Sequence, residues 1–310
     1  MQVLVSNEPD DEVGVEKLSD LNGVEVCTYD PNVSVLTDTQ RMSEILLPPY
    51  RGSHRPIPLV EQLPNLGMVQ LLSAGVDEWA EHVPDSVVLS SARGAHAGPV
   101  SEWVLSAILT QYRQWPALVR FQDSRVWAHR RFNADTLDGK RVLIVGAGSI
   151  GRAVARRLTA FDVSCTLVAS APRDGVHGAD EIPDLVPGHH IVVIAAPLTE
   201  KTRGLVNAEF LATMSDGALL VNAARGKIVD TMALVGELES GRLRAALDVT
   251  EPEPLPKDHP LWSCPGVIVS PHSARTVPGV NLLCYEVAAA RIAGFINLGT
   301  VARQSEKGAL

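Results

Sequence analysis

Residues 141–151, Arg-Val-Leu-Ile-Val-Gly-Ala-Gly-Ser-Ile-Gly, run from an apolar, strand-like stretch into Gly146, Gly148 and Gly151, and a helical pattern over 150–161 follows at once. This spacing suits a bound dinucleotide. Gly146 permits a tight turn, Gly148 lets the backbone approach a pyrophosphate, and Gly151 lets the helix pack closely on the strand. Free N–H groups at the helix start, around Ser149 and Ile150, then face the phosphates. Three spaced glycines are a weak signal in a chain that holds 24 of them, and it is the strand before and the helix after that favour a cofactor turn over an ordinary one.

The next strand indicates which dinucleotide. An NAD site usually places Asp or Glu about 20 residues beyond the glycines, to bind the ribose 2′-OH. Here the strand ends Leu167-Val-Ala-Ser-Ala-Pro-Arg173, so Ala169 stands at the acidic position and no carboxylate repels a 2′-phosphate. Ser170 can donate a hydrogen bond and Arg173 can pair with the phosphate charge. NADP(H) is therefore the expected cofactor. Asp174 lies close enough to reach a ribose, which keeps NAD(H) as the alternative.

A turn of this kind needs a parallel sheet beneath it. Short apolar runs alternate with amphipathic helical stretches along the chain, the pattern of α/β architecture. The pattern occurs twice. The first set of strands is expected at 2–6, 24–29, 44–47, 68–72 and 87–90. The second begins at 141 and continues at 163–169, 190–195, 218–222, 245–249 and 267–270. A helix over 99–114, apolar at Val100, Trp103, Val104, Ile108 and Leu109, carries the chain from the first set to the second, and a helix over 281–297 returns it. The fold class is thus two doubly wound α/β domains, one made of 1–94 plus 275–310, and the inserted dinucleotide-binding domain of 95–274. Prolines at 252, 254, 256, 260 and 265 mark a long irregular connection of the kind that carries chemistry above strand ends.

Composition narrows the partners. With 27 Lys and Arg against 36 Asp and Glu, the chain carries a net charge of -9, which disfavours nucleic acid and anionic membranes. The stretch 280–298 is interrupted by Asn281, Glu286 and Arg291, and no apolar run reaches the ~18 residues of a spanning helix. The start lacks a charged leader, so residence is read as cytoplasmic. Cys27, Cys165, Cys264 and Cys284 are widely separated and form no ligand spacing, so four reduced thiols and no metal site are expected.

The order of motifs resembles the D-isomer-specific 2-hydroxyacid dehydrogenase family over nearly the whole chain. The matching segments are Leu72-Ser-Ala-Gly-Val-Asp77, Val100-Ser-Glu102, residues 137–151, Ala196-Pro-Leu-Thr-Glu-Lys-Thr202, Leu220-Val-Asn-Ala-Ala-Arg-Gly-Lys-Ile-Val-Asp230, Ala246-Leu-Asp-Val-Thr-Glu-Pro-Glu-Pro-Leu-Pro256 and Ser270-Pro-His272. The resemblance implies a flavodoxin-like substrate domain joined to a Rossmann domain. It implies reduction of a small 2-oxo acid, glyoxylate or hydroxypyruvate being the first to try, by hydride transfer from NAD(P)H. The chain ends at Leu310 without the extension of the long phosphoglycerate dehydrogenases. A second reading is a dinucleotide-sensing binding protein without significant turnover, since some relatives act as corepressors.

That reaction asks for three side chains. The forming alkoxide needs a proton, which a histidine supplies near neutral pH. His272, just past an apolar strand, matches the family's acid/base histidine, whereas His54, His82, His129, His177, His189, His190 and His259 read as surface imidazoles. A carboxylate holds the histidine in one tautomer and favours its protonated form. Glu253 matches that residue, with Glu251 as its nearest rival. A guanidinium anchors the substrate carboxylate and polarises its carbonyl. Arg225, again at a strand end, aligns with the substrate arginine.

Other positions follow from the same likeness. Backbone N–H groups near Ala74 and Gly75, with Ser73 beside them, would cradle the substrate carboxylate. Asp248 matches the position that bonds the nicotinamide carboxamide, Pro197 and Thr202 those lining phosphates and ribose, and Ala223 completes the cofactor set. Pro48, Pro49 and Tyr50 suit either a pocket wall or a rigid surface turn. Ser273-Ala-Arg275 and Ser91-Ala-Arg-Gly-Ala-His96 depart from the family's usual residues, which bears on substrate identity. A homodimer through 99–114 and the segment to Trp127 is also implied, with Trp103, Trp115, Phe121 and Trp127 as anchors.

Overall fold

The computed structural model describes residues 1–33, 35–50, 56–129 and 131–307, so His54 lies outside the described residues. The chain divides into two compact units, Met1–His96 with Val277–Leu310, and Ala97–Thr276.

The first unit contains β1 (Gln2–Ser6), α1 (Glu12–Ser19), β2 (Glu25–Tyr29), α2 (Asp38–Arg41), β3 (Ile45–Leu47), β4 (Met68–Leu71) and β5 (Val88–Ser91). These strands form one parallel sheet in the order β2-β1-β3-β4-β5. Side chains alternate across it as the two-residue strand period requires. Val3 and Val5 join Leu18, Tyr285 and Ile292 on one face, while Leu4 joins Tyr29, Leu36 and Leu59 on the other. Pro48, Pro49 and Tyr50 are all buried, so the expectation of a surface turn fails. Tyr50 donates its backbone N–H to the buried Asp11 carboxylate, which also accepts the Tyr285 hydroxyl at 2.9 Å. Burial raises the Asp11 carboxyl above its ordinary value, against these hydrogen bonds.

The second unit runs through α3 (Ala97–Tyr112), α4 (Trp115–Asp123), β6 (Arg141–Val145), α5 (Ser149–Leu158), β7 (Ser164–Ala169), β8 (His177–Gly178), α6 (Ile182–Leu185), β9 (Ile191–Ile194), α7 (Ala208–Thr213), β10 (Leu219–Asn222), α8 (Thr231–Glu239), β11 (Arg244–Leu247) and β12 (Val267–Val269). Its parallel sheet has the order β12-β11-β10-β9-β6-β7-β8. Both faces are covered, which explains why its strands read as continuous apolar runs. Val142 and Ile144 pack with α3 and α5 residues, and Leu143 and Val145 pack toward Phe210, Leu234 and Leu238. Each such side chain, fully buried, stabilises by about 1.5–3 kcal/mol. Sequence order reverses at β6, whose neighbours are β7 and β9, and such switch points are where open α/β sheets bind ligands.

Two histidine expectations fail here. His189 is 7% exposed, bonded through Nδ1 to the Leu185 carbonyl and through Nε2 to the Thr166 hydroxyl, and His190 is half-buried, accepting the Arg141 N–H. Burial lowers both imidazoles below the ordinary histidine value. The chain returns to the first unit through α9 (Val280–Lys307), ten residues longer at its end than the apolar spacing suggests. No helix among the described residues is long and apolar enough to cross a membrane.

Candidate active site

The glycine turn follows β6. Gly146 sits at φ +117°, and a Cβ there would lie 2.4 Å from the Ala195 carbonyl carbon, so only glycine fits. Its N–H and that of Ala147 both donate to the Val168 carbonyl at 2.9 Å, fixing the turn onto β7. A Cβ at Gly151 would come within 1.9 Å of the Gly146 carbonyl oxygen, so glycine is required for the approach of α5 to the turn. Gly148 is the N-cap of α5 and brings no side chain to its first N–H groups, leaving them for an anion. The cradle therefore fits a dinucleotide pyrophosphate.

Two other segments follow the strands that flank β6. Beyond β7, Ser170 is exposed, and residues 173–176 form a tight hairpin in which Arg173 and Val176 exchange backbone bonds. Arg173 reaches back to the turn, donating from Nη2 to the Ala147 carbonyl at 3.1 Å. Asp174 occupies the hairpin tip. Beyond β9, the Thr202 hydroxyl donates to the Pro197 carbonyl at 2.7 Å and accepts the Thr199 N–H at 2.8 Å, closing the 197–202 loop on itself.

The strands β10, β11 and β12 lie side by side, and each ends in a loop that carries one member of the expected trio. After β12, His272 adopts a left-handed backbone, φ +51°, uncommon for a residue with a side chain. Its N–H donates to the Asp248 and Ser270 carbonyls. The ring Nδ1 lies 2.6 Å from Glu253 Oε1, both side chains being about two-fifths exposed. Nε2 makes no hydrogen bond among the described residues. The His272 bond, chiefly, holds the Glu253 carboxyl below its ordinary value against partial burial, with smaller help from the Thr250 N–H and the Arg225 charge. Glu251 instead offers its backbone carbonyl to the Thr231 hydroxyl. Arg225 extends from the loop after β10 and folds Nη1 back onto the Ala224 carbonyl at 2.9 Å.

Asp248 directly follows β11. Its carboxylate is 3% exposed and accepts the Ser270 hydroxyl at 2.6 Å and the N–H groups of Ser273 and Ala274. It braces the loop that carries His272. Three residues that sequence reasoning left aside act nearby. Asn222 bonds the Arg225 loop, Thr250 contacts Pro252 and Glu253, and Ser270 joins Asp248 to the His272 loop. Asn222 and Thr250 stand inside quoted motifs, yet neither bears a charge, so nothing in residue type alone separates them from their neighbours.

In the first unit, the segment after β4 holds Ser73, Ala74 and Gly75. The Ser73 hydroxyl donates to the Gly75 carbonyl at 2.7 Å, and among the described residues nothing accepts from the N–H groups of Ala74 and Gly75. Backbone donors there remain available to an anion.

Comparison with known proteins gives the family. The family model for the NAD binding domain of D-isomer specific 2-hydroxyacid dehydrogenases matches residues 105–274. A glyoxylate reductase from Thermofilum pendens is 33% identical over 244 residues, covering 74% of this chain and 72% of that protein. A D-isomer specific 2-hydroxyacid dehydrogenase from Xanthobacter autotrophicus, solved with NADPH and MES, is 29% identical with a TM-score of 0.80 over 94% of each chain. An NADPH-dependent glyoxylate/hydroxypyruvate reductase from Sinorhizobium meliloti, solved with NADP and malonate, is 25% identical with a TM-score of 0.75, covering 93% of this chain and 91% of that one.

Proposed function

This chain belongs to the D-isomer-specific 2-hydroxyacid dehydrogenase family and is an NAD(P)-dependent oxidoreductase, and from that premise we propose that it reduces glyoxylate, hydroxypyruvate or a 2-oxo acid of similar size to the D-2-hydroxy acid. The observation that carries the reading is the 2.6 Å contact between His272 Nδ1 and Glu253, made beside Arg225 at neighbouring strand ends of the unit that holds the glycine turn. When bound, a reduced nicotinamide dinucleotide supplies the hydride.

The chain's own residues do the rest. Arg225 binds the substrate carboxylate and polarises the carbonyl, its rigid fork matching two oxygens at once. Glu253 keeps the Nδ1 proton in place, so the proton delivered to the nascent alkoxide leaves from Nε2. Backbone N–H groups of Ala74 and Gly75, beside Ser73 in the first unit, are further donors suited to an anion. Gly146, Gly148, Ser149, Ile150, Pro197, Thr202 and Ala223 hold the dinucleotide, while Asp248 holds the His272 loop. NADP(H) is the preferred cofactor, because Ala169 removes the usual carboxylate and Ser170 and Arg173 offer donors to a 2′-phosphate. A homodimer buries the apolar face of α4 and the segment after it, where Trp115, Val119, Val126 and Trp127 are exposed, Trp127 by 91%.

The test is absorbance of the reduced nicotinamide across a panel of 2-oxo acids with each cofactor. Turnover is expected, and His272→Ala lowers kcat at least ~100-fold, the usual scale of an acid/base contribution. Near-normal turnover in that variant refutes the role of His272. Cofactor binding without turnover by the unaltered protein would point to a dinucleotide-sensing protein.

A further inference from the structure

We propose that Asn222 is a positioning residue for this reaction, its buried amide fixing the backbone from which Arg225 projects. The inference rests on the reading of Arg225 as the substrate anchor. Asn222 is the last residue of β10 and only 1% exposed. Its three predecessors, Leu219, Leu220 and Val221, are apolar, as a strand covered on both faces demands. An amide here is costly unless each polar atom finds a partner. Both find theirs in the two residues that matter. Oδ1 accepts the Ala224 N–H at 3.1 Å, and Nδ2 donates to the Arg225 carbonyl at 3.0 Å.

Those bonds turn the chain back on itself just where it leaves the sheet. Ala223 and Ala224 carry no side chain long enough to hold the turn, so the amide fixes it. The turn is also stopped on its far side. A Cβ at Gly226 would lie 1.9 Å from the Thr250 carbonyl oxygen, so the backbone after Arg225 is pressed against the strand-end loop that leads to Glu253. Arg225 is thus bracketed by a hydrogen-bonded amide before it and a backbone contact after it. In between, its main chain is extended, φ −145°, and its guanidinium curls onto the Ala224 carbonyl, whose own N–H is the one that Asn222 holds. Removal of the amide frees the Ala224 N–H and leaves the Arg225 carbonyl with only the longer 3.3 Å bond from the Ile228 N–H. It removes no atom that touches substrate.

The experiment compares wild type, Asn222→Ala, Asn222→Asp, Arg225→Gln and the double variant Asn222→Ala with Arg225→Gln. Asn222→Asp keeps the acceptor for Ala224 and loses the donor to Arg225 in a side chain of nearly equal size, so a folded variant is available if the alanine change unfolds the unit. Displacing a binding group by about 1 Å can cost ~100-fold. The expected result is a rise of about 10-fold or more in KM for glyoxylate. The Kd for NADPH, read by its fluorescence, rises less than the KM for glyoxylate, since of the dinucleotide-holding residues only Ala223 lies in the turn that Asn222 bonds. The decisive readout is the double variant. If Asn222 acts through Arg225, adding Asn222→Ala to Arg225→Gln leaves kcat/KM unchanged within about 2-fold. Additive losses, or a lowered melting temperature with unchanged KM and kcat, overturn the inference. Failure of the wild type to turn over any 2-oxo acid would overturn the reading of Arg225 itself, and is recognised before any variant is made.

Discussion

Replacing Gly226 by alanine is the sharpest perturbation of the site that leaves every charged group in place. The added Cβ would meet the Thr250 carbonyl oxygen at 1.9 Å, its carbon at 2.1 Å and the Glu251 nitrogen at 2.7 Å. All three are backbone atoms, so no side chain can swing aside. A close carbon–oxygen contact ordinarily stands at about 3.3–3.6 Å, which leaves the pair about 1.4 Å too near. The relief has to come from separating two loops, one bearing Arg225 and the other leading to Glu253. Overpacking of this kind costs about 1–3 kcal/mol of stability, and in a unit of this size each kcal/mol lowers Tm by about 2–4 °C. The larger effect falls on the reaction, because a 1 Å misplacement costs ~100-fold in rate. Steady-state reduction of glyoxylate or hydroxypyruvate by Gly226→Ala should therefore show kcat/KM reduced about 100-fold or more, with NADPH binding retained. Wild-type kcat/KM together with an unchanged Tm would refute the claim that these loops are locked to each other.

Three further outcomes follow from the same geometry. Arg173→Ala should raise KM for NADPH by about 10- to 100-fold, the worth of one charge-assisted hydrogen bond, and leave KM for NADH nearly unchanged; a wild-type preference for NADH would defeat it. Glu253 has a folded-state value below its ordinary 4.5, chiefly through His272, so the unfolded chain binds its proton first. Its contribution to stability is present above pH 4.5 and is lost as pH falls through the lower folded value. Urea midpoints taken at pH 5.5 and pH 3.5 should fall further in wild type than in Glu253→Gln, and parallel falls would count against the bond. Finally, sizing with light scattering should give twice the chain mass, and Trp127→Asp combined with Val119→Asp should halve it; a monomeric wild type at micromolar concentration would remove the α4 face as an interface.

The strands were legible because both sheets bury two faces, and runs such as 142–145 and 191–194 therefore stand out as unbroken apolar segments. The glycine turn was legible because its three glycines fall within one strand–turn–helix unit, where Gly151 is forced by a contact to Gly146; the contact that forces Gly146 comes from Ala195, after β9. What escaped depends on partners far along the chain. His189 is buried by a bond to Thr166, 23 residues earlier, which no local pattern announces. The end of α9 escaped because residues 298–307 lack the apolar spacing by which a helix is read from sequence. Glu251 and Glu253 were rivals in sequence, two residues apart in one loop, and only the path of that loop puts one of them against His272.

Apart from the buried Asp248 carboxylate under the His272 loop, the residues that hold the loops of the site are neutral while those assigned to its chemistry carry charge, and the division has a physical cause. A buried group that fixes backbone has to stay satisfied at every step, and a neutral amide or hydroxyl does so without a change of charge. The buried Asn222 at the Arg225 turn and Thr250 on the Pro252 carbonyl fit that role. The groups that move protons or meet an anion, His272, Glu253 and Arg225, are by contrast partly exposed, where charge is tolerated and substrate can arrive. A consequence is that the Arg225 turn is set by a side chain that does not titrate, whereas the His272 loop is held by the buried Asp248 carboxylate. Acidification through the Glu253 value therefore removes the partner of His272 while the Arg225 turn stays intact, and substrate-anion binding should outlast turnover as pH falls. Malonate or oxalate affinity that collapsed together with kcat below pH 4.5 would show that the two halves of the site are not held independently.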